Sequence, residues 1–360
     1  MPSVRAIAAH LKLSPATVSR VLNNHPDVDE STRQRVLARI NATGYVPRVG
    51  RRVTNVIALA YPDEPVRSEY GSFEPSLLSG VMRGLQEQHY DLKLLSIRRD
   101  KSPDETYTQF FLRKGIQGVI LRCVHLTSDM ITQIAREGFP SIVVAARFED
   151  PAVNFIHADS YPSSRWAVEH LIGLGHRRIV LAIHNVSDTD HADRRRGYED
   201  AIAEADLPAD QSLIMQLRDS LSSGEQVVDA ILAMPDRPTA VFATNPMTAL
   251  GIMRRAQERG VAIPGELSVV GVDDSDVRMH VWPRLTAVTQ DASTIGYEAA
   301  AWLTRVVSQD ERVRRCRRTI PTTFEVNGTT AAPPADDPTV RPAARSSRPS
   351  RAAKAPSRKR

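Results

Sequence analysis

Cysteine is almost absent from this 360-residue chain: Cys123 and Cys316 are the only two. Two isolated thiols build neither a disulfide framework nor a thiolate metal site, and the usage fits a reducing cytoplasm, with a nucleoid association expected. No run of 18 or more apolar residues occurs, so no membrane span and no membrane partner is expected. The opening residues Met1-Pro2-Ser3-Val4-Arg5 lack the following apolar stretch that a secretory signal needs. Signatures of catalysis are missing too. There is no Gly-x-Gly-x-x-Gly, no Walker loop, no Gly-x-Ser-x-Gly and no His-Glu-x-x-His, which leaves no catalytic residue and no cofactor to nominate. His184 and His191 flank Asp188 and Asp190, but the stretch reads as loop without rigid ligand spacing, so no metal site is expected.

What the chain does have is charge in particular places. The formal net charge is +5. Residues 1–53 hold nine Lys or Arg against three acids, and residues 333–360 hold eight against two. The segment between is therefore acidic by seven. A mildly acidic body with basic ends suits a protein that presents a small positive module to phosphates.

The first module reads as helices. Val4, Ile7, Ala8 and Leu11 fall at i, i+3, i+4 and i+7, one apolar face. Ser14 then offers an N-cap and Pro15 a first helical position for Pro15–Leu22, which turns Val18, Val21 and Leu22 inward and Ala16, Thr17, Ser19 and Arg20 outward. Two short helices joined this tightly form a helix-turn-helix. Asp29 or Ser31 can cap a third helix whose Val36, Leu37 and Ile40 share a face. This places Pro15, Ala16, Thr17 and Arg20 at a DNA major groove. The hydroxyls of Ser14 and Ser19, with Asn23 and the linker residues Arg51 and Arg52, complete the candidate DNA-binding set.

From Thr54 the pattern changes. Dense apolar runs recur at 55–61, 117–121, 141–145, 178–183, 239–243 and 267–272. Helical patterns separate them at 76–88, 104–113, 128–137, 162–174, 193–205, 222–233 and 247–259. Strands apolar throughout are covered on both faces, so the body is an α/β structure with mostly parallel sheets, and its length calls for two lobes. Ligands of such sheets sit beyond the C-terminal ends of the strands. Phe73, Arg194 in the 188–194 loop, Asn245 and Asp273 are accordingly the candidate effector-binding residues. An Asp at a strand end often only caps the next helix, and Asp273 keeps that alternative. His170 and His176 bracket a helix end and read as caps or core imidazoles.

Several stretches together resemble the lactose/galactose repressor family: Ala-Thr-Val-Ser-Arg-Val-Leu-Asn (16–23), Ser-Thr-Arg-Gln-Arg-Val (31–36), Gly-Tyr-Val-Pro (44–47), His-Leu-Ile-Gly-Leu-Gly-His-Arg-Arg-Ile (170–179), Arg-Arg-Arg-Gly-Tyr (194–198), Pro-Thr-Ala-Val-Phe-Ala (238–243), Leu-Ser-Val-Val-Gly-Val-Asp-Asp (267–274) and Pro-Arg-Leu-Thr (283–286). The likeness covers residues 4–327. It implies a helix-turn-helix headpiece over 1–47, a hinge at 48–53, and a two-lobed periplasmic-binding-protein-like body. Lobe one is expected at 54–157 and 290–317, and lobe two at 158–289 and 318–327. It also implies a transcriptional regulator, usually a repressor. Such a protein works as a homodimer on a double-stranded palindromic DNA operator, under a small-molecule effector such as a sugar, nucleoside or related metabolite. The chain departs from the family's pattern in three places. The hinge is short and has no Leu to wedge into the minor groove, so weak operator bending is expected. Pro246 stands where an Asp usually follows Asn245. After Asn327 the Pro/Ala/Arg/Ser-rich sequence 328–360 is expected to be a disordered basic tail.

Overall fold

The computed structural model describes residues 4–22, 27–43, 54–62, 73–122, 128–185, 188–218, 220–309 and 315–335. Asn23, Arg51, Arg52, the hinge at 48–53 and residues 336–360 lie outside the described residues. The chain begins with three helices, α1 (Val4–Leu11), α2 (Pro15–Leu22) and α3 (Glu30–Thr43). Ile7, Ala8, Val18, Val21, Val28 and Val36 form their small common core. Lys12 turns the chain between α1 and α2 in the left-handed region at φ 55°, and the Leu13 N–H closes back on Ala8 O at 2.9 Å. Of the two candidate caps for α3, Asp29 takes the role, accepting from the Thr32 N–H at 2.9 Å.

The body runs β1 (Val56–Tyr61), α4 (Phe73–Gln86), β2 (Asp91–Ser96), α5 (Ile97–Asp100), α6 (Tyr107–Arg113), β3 (Gly118–Arg122), α7 (Ser128–Arg136), β4 (Ser141–Val144) and β5 (Phe155–Asp159). It continues through α8 (Tyr161–Gly173), β6 (Ile179–His184), α9 (Thr189–Glu204), β7 (Ile214–Leu217), α10 (Leu221–Ala233), β8 (Ala240–Ala243), α11 (Pro246–Glu258), β9 (Ser268–Asp273) and β10 (Thr286–Thr289). The last elements are α12 (Ala292–Val307), β11 (Arg317–Pro321) and β12 (Thr323–Glu325). They build two six-stranded sheets, ordered β11-β5-β4-β3-β1-β2 and β12-β10-β9-β8-β6-β7. All pairings are parallel except β10 with β12. Each sheet is the centre of a lobe, with an apolar core on both faces. Among the described residues no helix is long and apolar enough to cross a membrane.

The chain crosses between lobes after β5, after β10 and after β11. The last crossing differs from the expected division at 317, because β11 pairs with β5 through Pro321 and stays in the first sheet. The strands without an apolar run in the sequence are mostly edges: β2, β7, β11 and β12 each expose part of their length. The sequence after Asn327 also differs from expectation. The fully buried Thr329 exchanges two hydrogen bonds with Val269, at 2.8 and 2.6 Å. His176 Nε2 donates to Ala331 O at 2.9 Å while Nδ1 meets Thr239 Oγ1 at 2.8 Å. Backbone and side-chain hydrogen bonds to β9 thus hold Thr329 and Ala331 on the second lobe, and His176 is the core imidazole its context suggested.

Each lobe contains one helix pair that meets without side chains between the backbones. A Cβ added to Gly296 of α12 would lie 2.2 Å from Leu77 O of α4, and one added to Gly251 of α11 would lie 2.1 Å from Leu221 O of α10. Gly→Ala in a helix ordinarily stabilises by about 1 kcal/mol, but here the overpacking cost reverses the sign. Gly296→Ala is expected to lower body stability by about 1–3 kcal/mol. Gly173→Ala, with open space around it, is expected to be neutral or better. Urea unfolding of the two variants checks the contrast, and equal midpoints would refute close packing of α4 on α12.

Candidate functional site

Two sites emerge, one on the headpiece and one between the lobes. On the headpiece, the Ser14 hydroxyl accepts from the Thr17 N–H at 3.0 Å and meets the Thr17 hydroxyl at 2.8 Å, capping α2. With Val18 and Val21 buried, the opposite face presents Pro15, Ala16, Ser19 and Arg20 to solvent, with Thr17 half-buried. A capped N-terminus leaves oriented N–H groups beside an exposed guanidinium, a combination suited to phosphates and base edges. Arg35 of α3 donates to Leu11 O at 3.2 Å, fixing the third helix against the end of the first.

The interlobe site is built at the C-terminal ends of the strands. On the first lobe, Tyr61 ends β1 and donates to Glu74 Oε2 at 2.9 Å; Arg122 ends β3 and donates to Glu74 Oε1 at 2.8 Å. Phe73, the first residue of α4, lies under the Arg122 guanidinium at 4.7 Å. Burial, then the neighbouring Glu74 charge, pushes the Tyr61 hydroxyl above its ordinary range and keeps it a donor.

On the second lobe, 188–194 is not the loop the sequence suggested. Asp188 caps α9, accepting from the His191 N–H at 2.8 Å, so the helix starts at Thr189 and Asp190 and Arg194 lie one turn apart on it. Arg194 is 5% exposed. Its Nη1 donates to Thr244 O at 2.9 Å and its Nη2 to Gln290 Oε1 at 2.8 Å. Gln290 Nε2 in turn donates to Asp190 Oδ2 at 3.4 Å. Asn245 caps α11, accepting from the Met247 and Thr248 N–H groups, with Pro246 in the first turn where its missing N–H costs nothing. Asp273, 1% exposed, accepts from the Ser275, Val277 and Arg278 N–H groups and from the Arg278 guanidinium. Its carboxylate therefore holds the 273–278 turn, where the sequence leaves open a cap on the next helix.

Arg194 and Gln290 are thus brought into contact, Phe73 joins Arg122, and Asn245 and Asp273 cap neighbouring segments of the second lobe. A cleft of about 580 Å³ opens between Pro75, Ser76 and Ser79 of α4, the Asp273–Arg278 turn, and Gln290 to Ser293 at the head of α12. Beside it, Arg147 of the first lobe forms a bidentate pair with Asp193 of α9 at 2.5 and 2.9 Å, tying the lobes together. Arg122, Glu74, Arg147 and Gln290 were not singled out from the sequence. Arg122 directly follows an apolar run and could have been; Gln290 follows a four-residue strand that carries no run. Among the described residues no group of three or more His, Cys, Asp or Glu is placed to hold a metal ion.

The electrostatics divide the two aspartates. Asp188 sits well below the ordinary carboxylate range: burial opposes its charge, but His191, at 2.9 Å, and Arg122 outweigh it. Asp190 is pushed up to about 6, chiefly by burial, with Arg194 opposing and Asp188 adding to the rise.

Helix-turn-helix headpiece and two-lobed parallel α/β body together define a DNA-binding regulator with a ligand-binding fold. Residues 4–48 match the family model of bacterial regulatory proteins of the lacI family, and residues 168–330 match that of the periplasmic binding protein-like domain. The chain is similar to the HTH-type transcriptional regulator DegA of Bacillus subtilis, with 30% identity covering 81% of this chain and 87% of that protein. It is similar to catabolite control protein A of Priestia megaterium, with 27% identity covering 84% and 92%. A transcriptional regulator CelR solved in complex with cellobiose matches its structure with a TM-score of 0.65 and 26% identity, covering 91% of this chain and 100% of that one. The chain belongs to the lacI family of bacterial regulatory proteins. It is a sequence-specific DNA-binding regulator with an effector-binding fold.

The raised pKa of Asp190 has a defined sign. Between pH 4 and 6 the folded state binds a proton that the unfolded chain has released, so stability falls as pH rises through this window and the loss persists above it. Asp188 acts oppositely and only at lower pH, where protonation removes its stabilising pairing. Asp190→Asn is expected to stabilise the protein at pH 7.5 by up to about 3 kcal/mol, with the difference vanishing near pH 4. Urea titrations across this range check it; a constant difference at all pH values would refute the assignment.

Proposed function

We propose that this protein is a cytoplasmic, nucleoid-associated homodimeric repressor whose affinity for a palindromic operator is set by a small polar metabolite held between the lobes. The headpiece reads DNA through Ser14, Pro15, Ala16, Thr17, Ser19 and Arg20 of α2, with Asn23 and the linker residues Arg51 and Arg52 added on sequence grounds. The effector is a sugar or related metabolite that contacts Arg194, with Phe73 covering it from the first lobe and Asn245 and Asp273 framing the pocket. One observation carries the reading. Arg194 is buried at the lobe junction, bonded to the start of α11 through Thr244 and to the β10–α12 crossover through Gln290, so a ligand that engages it acts on segments that set lobe orientation. A domain division at the headpiece (1–47), hinge (48–53) and two lobes follows from the same reading.

The capping roles of Asn245 and Asp273 favour a second reading, a regulator that binds its operator without an effector. Both readings meet the same experiment. Arg194→Ala is expected to abolish the response of operator affinity to the effector recovered from the purified protein or from a metabolite screen, while the unliganded protein still binds operator. An unchanged response in Arg194→Ala, measured by fluorescence anisotropy, removes Arg194 from the effector site.

On the DNA side, Arg20→Ala is expected to cost about 1–3 kcal/mol on the operator if the guanidinium pairs with a base edge. The loss should concentrate at one base position. A uniform loss on operator and unrelated duplexes alike would instead make Arg20 a phosphate contact.

A further inference from the structure

The effector site proposed above contains a buried carboxylate with almost nothing bonded to it. Asp190 is 6% exposed. Its Oδ2 receives one long N–H from Gln290 at 3.4 Å, and its Oδ1 receives no hydrogen bond. The three arginines coupled to it electrostatically donate to other acceptors: Arg194 to Thr244 O and Gln290, Arg122 through Nε to Glu74, and Arg147 to Asp193. His191 answers Asp188 at 2.9 Å rather than Asp190. The facing groups are four carboxylates, Glu74, Asp188, Asp190 and Asp193, against three arginines, Arg122, Arg147 and Arg194, and the titratable ring of His191, with the ring of His184 5.4 Å from it. Burying a carboxylate without a partner is costly, so such a group is neutralised or awaits a cation.

The same wall leaves further polar atoms unmet. Thr244 Oγ1, which can accept or donate, His191 Nε2 and the donor Arg194 Nε are buried without hydrogen-bond partners. An ammonium group brings three N–H donors and one positive charge. A neutral polyol would serve some of the acceptors and leave the charge unanswered. An anion would meet Glu74, Asp188 and Asp190.

We propose that the effector of this protein carries a cationic amino group, as an amino sugar or another amine-bearing polyol does, and that this group seats on Asp190. The assignment rests on the effector-site reading above and adds the ligand's charge to it.

The test uses the full chain at pH 7.5 with matched probes: glucosamine against glucose, galactosamine against galactose, an aliphatic diamine against the corresponding diol, and glucose 6-phosphate as the anion. Thermal stabilisation and calorimetric titration are read for the native protein and for Asp190→Asn, which preserves shape. An amine is expected to bind at least tenfold more tightly than its neutral counterpart, and Asp190→Asn is expected to erase that preference, with Asp190→Glu retaining part of it. A preference for the neutral or phosphorylated probes, or an amine preference that survives in Asp190→Asn, overturns the amine assignment while leaving an effector-binding cleft standing. Absence of binding by every amine probe also overturns it. If a broad metabolite library then neither binds nor changes operator affinity, the effector-gated reading falls with it.

Discussion

The guanidinium of Arg194 is the group on which the organisation of the cleft depends. One buried side chain reaches from α9 to the carbonyl of Thr244 after β8 and to the amide of Gln290 where the chain leaves β10 for α12. Hydrogen bonds from a charged donor contribute about 1.5–3 kcal/mol each, and losing the donor would strand a buried carbonyl and a buried amide. Position matters more than strength here. Gln290 sits on one of the three strands of chain that join the lobes, so the arginine ties α9 and the segment after β8 to that crossover. The other crossings are built from small polar residues that bond one another: Thr322 donates to Asp159 O at 2.7 Å and pairs with Ser163. Such joints can turn without exposing a core, which suits two lobes that reorient as rigid bodies. Ser163 thus has a partner at the joint.

Much of the fold is legible in the sequence, for a physical reason. Inner parallel strands are covered on both faces and must be apolar throughout, so β1, β3, β4, β6, β8 and β9 stand out as runs. Edge strands need no such composition: Lys93 in β2 and the arginines of β11 are compatible with pairing on one side only. The headpiece is legible because Ser14, Pro15 and the i, i+3, i+4 spacing of its apolar residues are local signals, readable without tertiary information. The cleft is harder. Arg194 and Phe73 can be placed by their position after strands, but the N-cap by Asp188 that converts 188–194 from loop to helix depends on side-chain geometry, and Gln290 gains its role only through a contact with a residue 96 positions earlier. Residues 328–331 look unfoldable by composition, yet backbone and hydroxyl bonds to β9 hold them, because such bonds need few apolar side chains.

Two residue pairs show how the same side chain serves either fold or ligand. Asn245 and Asp273 lie where ligand contacts were expected, and the structure employs both as caps: Asn245 on α11, Asp273 on a turn closed by Arg278. Asp188 and Asp190 lie two residues apart on one segment and divide likewise. Asp188 is consumed by the helix N-terminus and His191. Asp190 is left buried beside an arginine one turn away, because that arginine is drawn to Thr244 and Gln290 instead.

Native proteins satisfy nearly all buried polar groups, so those left unmet in one place mark where something else is meant to bind. Asp190 Oδ1, Thr244 Oγ1, His191 Nε2 and Arg194 Nε all belong to the same wall of the second lobe. Scaffold demand explains Asn245, Asp273 and Asp188 completely; it leaves these four atoms unexplained. A carboxylate in that setting is destabilising at neutral pH, since burial raises its pKa and the ionised form then opposes folding. Asp190 has the helix dipole of the first turn of α9 and one long bond from Gln290 in its favour, and no bond from any neighbouring arginine. An amine seated on Asp190 would lie on a capped helix, one turn from the arginine that bonds the β10–α12 crossover. A ligand that neutralises it would relieve the cost of a buried charge and engage the interlobe joint at once, which couples binding to lobe orientation without any further device.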